Sequence, residues 1–185
     1  MTVIAAISSA RAGATWVASD TLIISGNLEL ELGPKWSVRD AWAIGVAGHL
    51  RTMNIFAHHA DTLLKDVRDV FEFTGRVRSL LGEEGFRSSK EEEGPPNFGQ
   101  MLMLANPRNI WTIGPDFSIT PLPDNTLWAE GSGRDLAIGA AHALQLCRAE
   151  ISPRETIRLA IETAITCDAQ CGGAPWIAEL SDKPR

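Results

Sequence analysis

The chain has 185 residues, 44% of them hydrophobic and 22% charged, and a formal net charge of −6. That length and composition suit one domain over residues 1–185 with a sizeable core. An acidic balance without a basic block argues against nucleic acid or an anionic membrane surface as partner, and no apolar run approaches the ~18 residues of a bilayer span.

The chain begins Met1-Thr2-Val3-Ile4-Ala5-Ala6-Ile7. Methionine is ordinarily trimmed ahead of a residue as small as threonine, which would leave Thr2 with a free α-amine. One residue would then hold a nucleophile, its side-chain oxygen, and a general base, its own amine. The reference pKa of an α-amine, about 7.7–8.0, suits it to accept a proton near neutrality. Val3–Ile7 lacks a preceding Lys or Arg and is shorter than a signal-peptide core, so it reads as a mature strand.

Val3–Ile7 and Thr15–Ala18 are apolar on both alternating faces, as in strands covered on two sides. Arg11-Ala12-Gly13 supplies the turn between them. Thr21–Ser25 is a short β-branched segment ending in Gly26-Asn27. After Gly33-Pro34, Lys35–Val38 and Ala41–Val46 form a hairpin turning at Arg39-Asp40, so the first third reads as a β-meander. The period then changes. Met53, Phe56, Ala60, Leu63, Leu64 and Val67 recur at helical spacing, and Val70, Phe73, Val77, Leu80 and Leu81 continue as a second helix. His58 and His59 are adjacent, point to different helix faces, and make no metal pair.

Gly82–Asn97 is polar and charged and reads as a solvated connection. Strands resume at Gln100–Ala105, Ile110–Ile113, Phe117–Thr120 and Thr126–Ala129, punctuated by Pro, Asn, Gly and Asp. A helix over Arg134–Arg148 places Leu136, Ala140, Leu144 and Cys147 on one stripe. The next helix opens with Ser152 as N-cap, Pro153 at the first position and Glu155 closing a capping box. Its inner face reads Ile157, Ile161, Ala164 and then Asp168. Gly172-Gly173 stops it, and Trp176–Leu180 is a last strand. Strands, two helices, strands, two helices and a strand fit an α+β, four-layer α-β-β-α sandwich, with other α+β layouts open on periodicity alone.

Three charged residues occupy positions that packing would give to something else. Asp20 ends an apolar strand, where taken alone it reads first as a turn carboxylate before Thr21. Lys35 opens a strand and is one of four lysines among seventeen basic residues. Held near a free amine, its ammonium would depress that amine's pKa by like-charge repulsion. Asp168 continues an apolar stripe, which directs a carboxylate inward, where it needs a donor or cation. Gly45-Val46-Ala47-Gly48 and Gly131-Ser132-Gly133 permit close backbone approach, and an N–H near Gly48 could stabilise an oxyanion. Gly131-Ser132-Gly133 lacks the length and following Lys of a phosphate loop, so nucleotide binding is rejected and no cofactor is expected. Cys147, Cys167 and Cys171 are an odd set without zinc-type pairing, which suits a reduced, cytoplasmic protein.

Taken in order, these pieces resemble the proteasome β-subunit group of N-terminal-nucleophile hydrolases, most closely the HslV peptidase branch. The resemblance rests on Thr2 behind one residue, Val17-Ala18-Ser19-Asp20, Lys35, Gly45-Val46-Ala47-Gly48, Glu130-Gly131-Ser132-Gly133, and Asp168-Ala169-Gln170-Cys171-Gly172-Gly173. It implies that Thr2 attacks a peptide carbonyl, Asp20 holds Lys35, and Lys35 tunes the amine of Thr2. It further implies that Gly48 binds the oxyanion, and that Ser132 and Asp168 orient the amine and relay protons. A homo-oligomeric ring, polypeptide substrates and an ATP-dependent unfoldase partner are implied in the same way. Cys171 departs from the family's usual Ser, which would weaken or remove a hydrogen bond. The residues after Asp20 and the charged Gly82–Asn97 connection depart as well. An amidohydrolase of a small amide and a catalytically silent scaffold subunit are the alternatives.

Overall fold

The computed structural model describes residues 2–25, 28–31, 33–86, 101–148 and 150–182. In chain order the elements are β1 (Val3–Ser9), β2 (Ala14–Ser19), β3 (Leu22–Ser25), β4 (Leu28–Glu31), β5 (Trp36–Arg39) and β6 (Trp42–Ala47). Helices α1 (Leu50–Leu64) and α2 (Val70–Glu83) follow, then β7 (Met101–Ala105), β8 (Ile110–Ile113), β9 (Ile119–Pro121) and β10 (Trp128–Gly131). Helices α3 (Arg134–Leu146) and α4 (Pro153–Cys167) lead to β11 (Trp176–Ser181). One antiparallel sheet has the order β10-β1-β2-β11, another β5-β6-β7-β8-β9, and β3 pairs with β4 alone.

The two-sided apolar strands explain the layering. Along β1, Val3, Ala5 and Ile7 join Ala137, Ala141, Ile157 and Ile161 in a core between this sheet and α3/α4. The alternate residues, Ile4 and Ala6, join Ala43, Ala47, Met103 and Ala105 between the two sheets. Ile44, Val46, Leu102 and Leu104 then turn the far face of the second sheet toward Phe56, Leu64, Phe73 and Leu81 of α1 and α2. Period-2 alternation thus sends each central strand into two cores. The result is the four-layer α-β-β-α sandwich.

Local details depart from the sequence expectations. The first third is not one meander: β1 and β2 belong to one sheet, β5 and β6 to the other, and the β3–β4 hairpin lies between them in the chain. Strand β4 was not anticipated; its four residues are all exposed, so burial left no pattern to read. The strand placed at Phe117–Thr120 begins at Ile119, because Phe117 closes a turn at φ 66° and Asp116 accepts the Ser118 N–H. The strand placed at Thr126–Ala129 runs two residues later. The inner face of α3 is Ala137 and Ala141, not the Leu136–Cys147 stripe, since small side chains let α3 lie close on α4 and β10. Ser152 caps α4 by accepting the Glu155 N–H, yet the Glu155 carboxylate turns to Arg158, so half of the capping box forms. Helix α2 continues to Glu83, and residues 87–97 of the charged connection lie outside the described residues.

Candidate active site

Asp20 follows the last residue of β2 and is fully buried. Its Oδ1 accepts three donors: the Thr2 hydroxyl at 3.0 Å, the Val3 N–H at 2.9 Å and the Lys35 ammonium at 2.5 Å. Its Oδ2 accepts the Gly172 N–H at 3.3 Å. A buried carboxylate is tolerated when its lone pairs are filled and a cation faces it. Here one carboxylate oxygen joins the hydroxyl of Thr2 to the only buried lysine among the described residues.

Lys35 reaches this place from the second sheet. Its carbonyl accepts the Val46 N–H of β6 at 3.2 Å, and its own N–H donates to Ser19 Oγ at 3.1 Å. The next residue, Trp36, donates its indole N–H to the Ala18 carbonyl at 2.8 Å. Burial pushes the Lys35 ammonium below the ordinary lysine range, and the Asp20 charge opposes that shift.

The third contribution comes from the junction of β10 and α3. The Thr2 nitrogen donates to Ser132 Oγ at 3.3 Å, and that hydroxyl lies 3.3 Å from the Thr2 carbonyl oxygen. Gly131 has φ 103°, and a Cβ there would lie 2.1 Å from the Thr2 carbonyl oxygen, so the backbone approach requires glycine. Gly133 is confined by side chains, with Cys171 Sγ 2.8 Å from its hypothetical Cβ.

The fourth comes from the turn after α4. Asp168 is the C-cap of that helix and is half-buried; it does not point into the core as the helical stripe suggested, because the helix ends one residue earlier. Its Oδ1 accepts the Gln170 N–H at 3.0 Å, the leading reason its carboxyl stays below the usual range. Its Oδ2 accepts the Cys171 thiol at 3.3 Å, and Cys171 Sγ lies 3.7 Å from Ser132 Oγ. The thiol therefore links Ser132 to Asp168 weakly, so that of the two outcomes expected for Cys171, a weakened or a missing bond, the structure has the weakened one. Burial first, and then the nearby Asp20 charge, push the Cys171 thiol up to about 12, so it is neutral near pH 7.

Five of the six residues singled out in the sequence thus meet: Thr2, Asp20, Lys35, Ser132 and Asp168. Gly48 sits between β6 and α1, exposed, with φ 157°, and the hydrogen bonds above do not include it. Sequence reasoning gave no role to Ser19, Trp36 or the Gly172 N–H. Ser19 alone left a trace, a hydroxyl at the end of an apolar strand. A cavity of about 170 Å³ adjoins Lys35, lined also by Ile23, Val46, Leu50, Met53 and Asn54. A larger cleft of about 830 Å³, by Arg39, His59, Lys65 and Arg76, shares no residue with this cluster.

No protein-family model matches the sequence, and no curated protein matches it. Solved structures do match. Thiobacillus denitrificans BPH superposes with a TM-score of 0.80 at 18% identity, covering 100% of both chains. Its complex with epoxomicin gives 0.79 at 18%, covering 99% of this chain and 100% of that one. Eukaryotic HslV from Trypanosoma brucei gives 0.72 at 17%, covering 97% and 99%. The fold is the one these BPH and HslV structures share. At such identity the likeness is one of fold. Within this fold, the cluster lies where strands of both sheets begin or end: β1, β2 and β10 of one, β5 of the other.

Proposed function

We propose that the chain is a threonine-type peptidase that hydrolyses peptide bonds through Thr2. The observation that carries the reading is the shared Asp20 oxygen, which holds the Thr2 hydroxyl and the Lys35 ammonium in one buried cluster. Support comes also from BPH, which shares the fold and is solved with epoxomicin, a threonine-protease inhibitor.

Removal of Met1 gives Thr2 its α-amine, held by Ser132. The amine takes the Thr2 hydroxyl proton as Oγ1 bonds to the substrate carbonyl carbon. The tetrahedral oxyanion is received by the backbone N–H of Gly48. The protonated amine then delivers its proton to the leaving nitrogen as the C–N bond breaks, leaving an ester on Thr2. Water, losing a proton to the same amine, attacks that ester; the acid departs and Oγ1 recovers its proton. Lys35 keeps the amine neutral by like-charge repulsion, Asp20 holds Lys35, and Asp168 supports Ser132 through Cys171. The cavity beside Lys35 offers Ile23, Val46, Leu50 and Met53 to an apolar substrate side chain.

The protein works as a homo-oligomeric ring with an internal chamber, since a secluded nucleophile is safe for folded neighbours and acts on polypeptides fed in by an ATP-dependent unfoldase. We place it in the cytoplasm; its three cysteines are free, and no described helix is long and apolar enough to cross a membrane. Peptide turnover by Met-trimmed protein should be abolished in Thr2→Ala. Equal cleavage by the two forms would overturn the proposal.

A further inference from the structure

We infer that Ser19 is a positioning residue for Lys35: its hydroxyl holds the lysine's backbone while the neighbouring Asp20 holds the lysine's ammonium. Two consecutive residues, the last of β2 and the one after it, would then fix both ends of a lysine that leads into β5 of the other sheet. The inference rests on the peptidase reading above, because it assigns Ser19 a task in tuning the Thr2 amine.

Strand position makes the hydroxyl necessary. Strand β5 lies at the edge of its sheet, with β6 as its one ladder neighbour. The Lys35 carbonyl faces β6 and is satisfied by Val46, but its N–H turns the other way, where no strand follows. Pro34, just before it, has no N–H, so Lys35 carries the first donor after the turn. That donor is buried, Lys35 being 4% exposed, and Ser19 Oγ at 3.1 Å is its acceptor. Ser19 is itself 0% exposed, on the β2 face shared with Val17, which packs between the sheets. The Trp36 indole bond to the Ala18 carbonyl adds a second tie one residue along.

A lysine side chain has a flexible four-carbon stem, so Asp20 alone fixes the ammonium only as well as the backbone beneath it is fixed. With alanine at position 19 a buried N–H loses its acceptor, and the start of β5 shifts to find another. The ammonium moves with it. Repulsion between Lys35 and the Thr2 amine changes with that distance, against a constant background from Asp20, Asp168 and the neutral Cys171 thiol. A looser Lys35 leaves the amine more basic, so more of it is protonated and idle at a given acidic pH.

The test is the pH profile of peptide kcat and KM for Met-trimmed parent, Ser19→Ala, Ser19→Thr, Trp36→Phe and Thr2→Ala, each checked for folding by thermal melt. Ser19→Ala should lose about tenfold in kcat with KM within about twofold, as expected for a misplaced group, and its acidic limb should move to higher pH. Ser19→Thr, which keeps the hydroxyl, should restore the limb. Trp36→Phe should move it in the same direction as Ser19→Ala, which keeps the proposal testable if either serine variant does not fold. An unmoved limb in folded Ser19→Ala, or in folded Trp36→Phe should the serine variant fail to fold, would overturn the inference. So would a folded Ser19→Thr that loses as much as Ser19→Ala. An active Thr2→Ala would instead sink the peptidase reading itself, so the two failures are distinct.

Discussion

At the level of single residues, the Asp20–Lys35 pair sets the energetics of the site. Both side chains are essentially inaccessible, so removing one leaves a buried charge alone, at about 3–5 kcal/mol. Lys35→Met should therefore lower the stability measured by urea unfolding by about that amount and abolish turnover. Pairing it with Asp20→Asn should recover part of the stability and none of the activity, because the charge that tunes the amine is still missing. Asp168 gives a pH prediction. Its folded pKa is depressed, chiefly by the Gln170 N–H, so its contribution is full above the ordinary carboxylate pKa of about 3.9 and is lost as pH falls through the lower folded value. The gap in urea midpoint between the parent and Asp168→Asn should be constant near neutrality and close under strongly acid conditions; a gap that widens there would contradict this. Charge in an apolar setting is what made Asp20 and Lys35 legible in the sequence. Ser19 and the Gly172 N–H were not, because a small hydroxyl or a backbone donor carries no pattern that marks its partner. Asp168 was legible as a site residue but not as a C-cap, since periodicity does not say where a helix stops.

Among the elements, the helices with full-sized apolar faces and the two-sided strands were readable. Phe56, Leu63 and Leu64 of α1, and Phe73, Val77 and Leu81 of α2, fall where a 3.6-residue period puts them. Helix α3 misled because it packs through Ala137 and Ala141, while Leu136 and Leu146 stay outside, Leu146 being 71% exposed. Volume is a poor guide when the neighbour demands close approach. The junction of β10 and α3 shows that demand most sharply. Gly131→Ala would need a left-handed backbone and would drive its methyl against the Thr2 carbonyl, which is main chain and held by β1. It should destabilise by about 1–3 kcal/mol in denaturant titration, as overpacking does, and cut peptide turnover more than its stability loss explains. Wild-type turnover in folded Gly131→Ala would show that Thr2 need not sit against this turn.

For the whole molecule, the packing of two sheets across Ile4, Val17, Ala43 and Met103 brings Lys35 to Thr2, since neither sheet holds both. That layering could be read from strands lacking a polar face; the split of the first third between sheets could not, because local alternation does not say which sheet a hairpin joins. A peptidase ring should appear by light scattering as a defined multiple of the 20.0 kDa protomer, whereas a monomer or dimer turning over small amides would favour an amidohydrolase. The claim beneath all of this is that Thr2 supplies its own base. The most direct measurement compares peptide cleavage by chain beginning at Thr2, verified by intact mass, with the same chain carrying one extra residue ahead of Thr2. The amine becomes an amide in the second form, so cleavage should be lost while the fold persists. Equal rates would show that the base lies elsewhere.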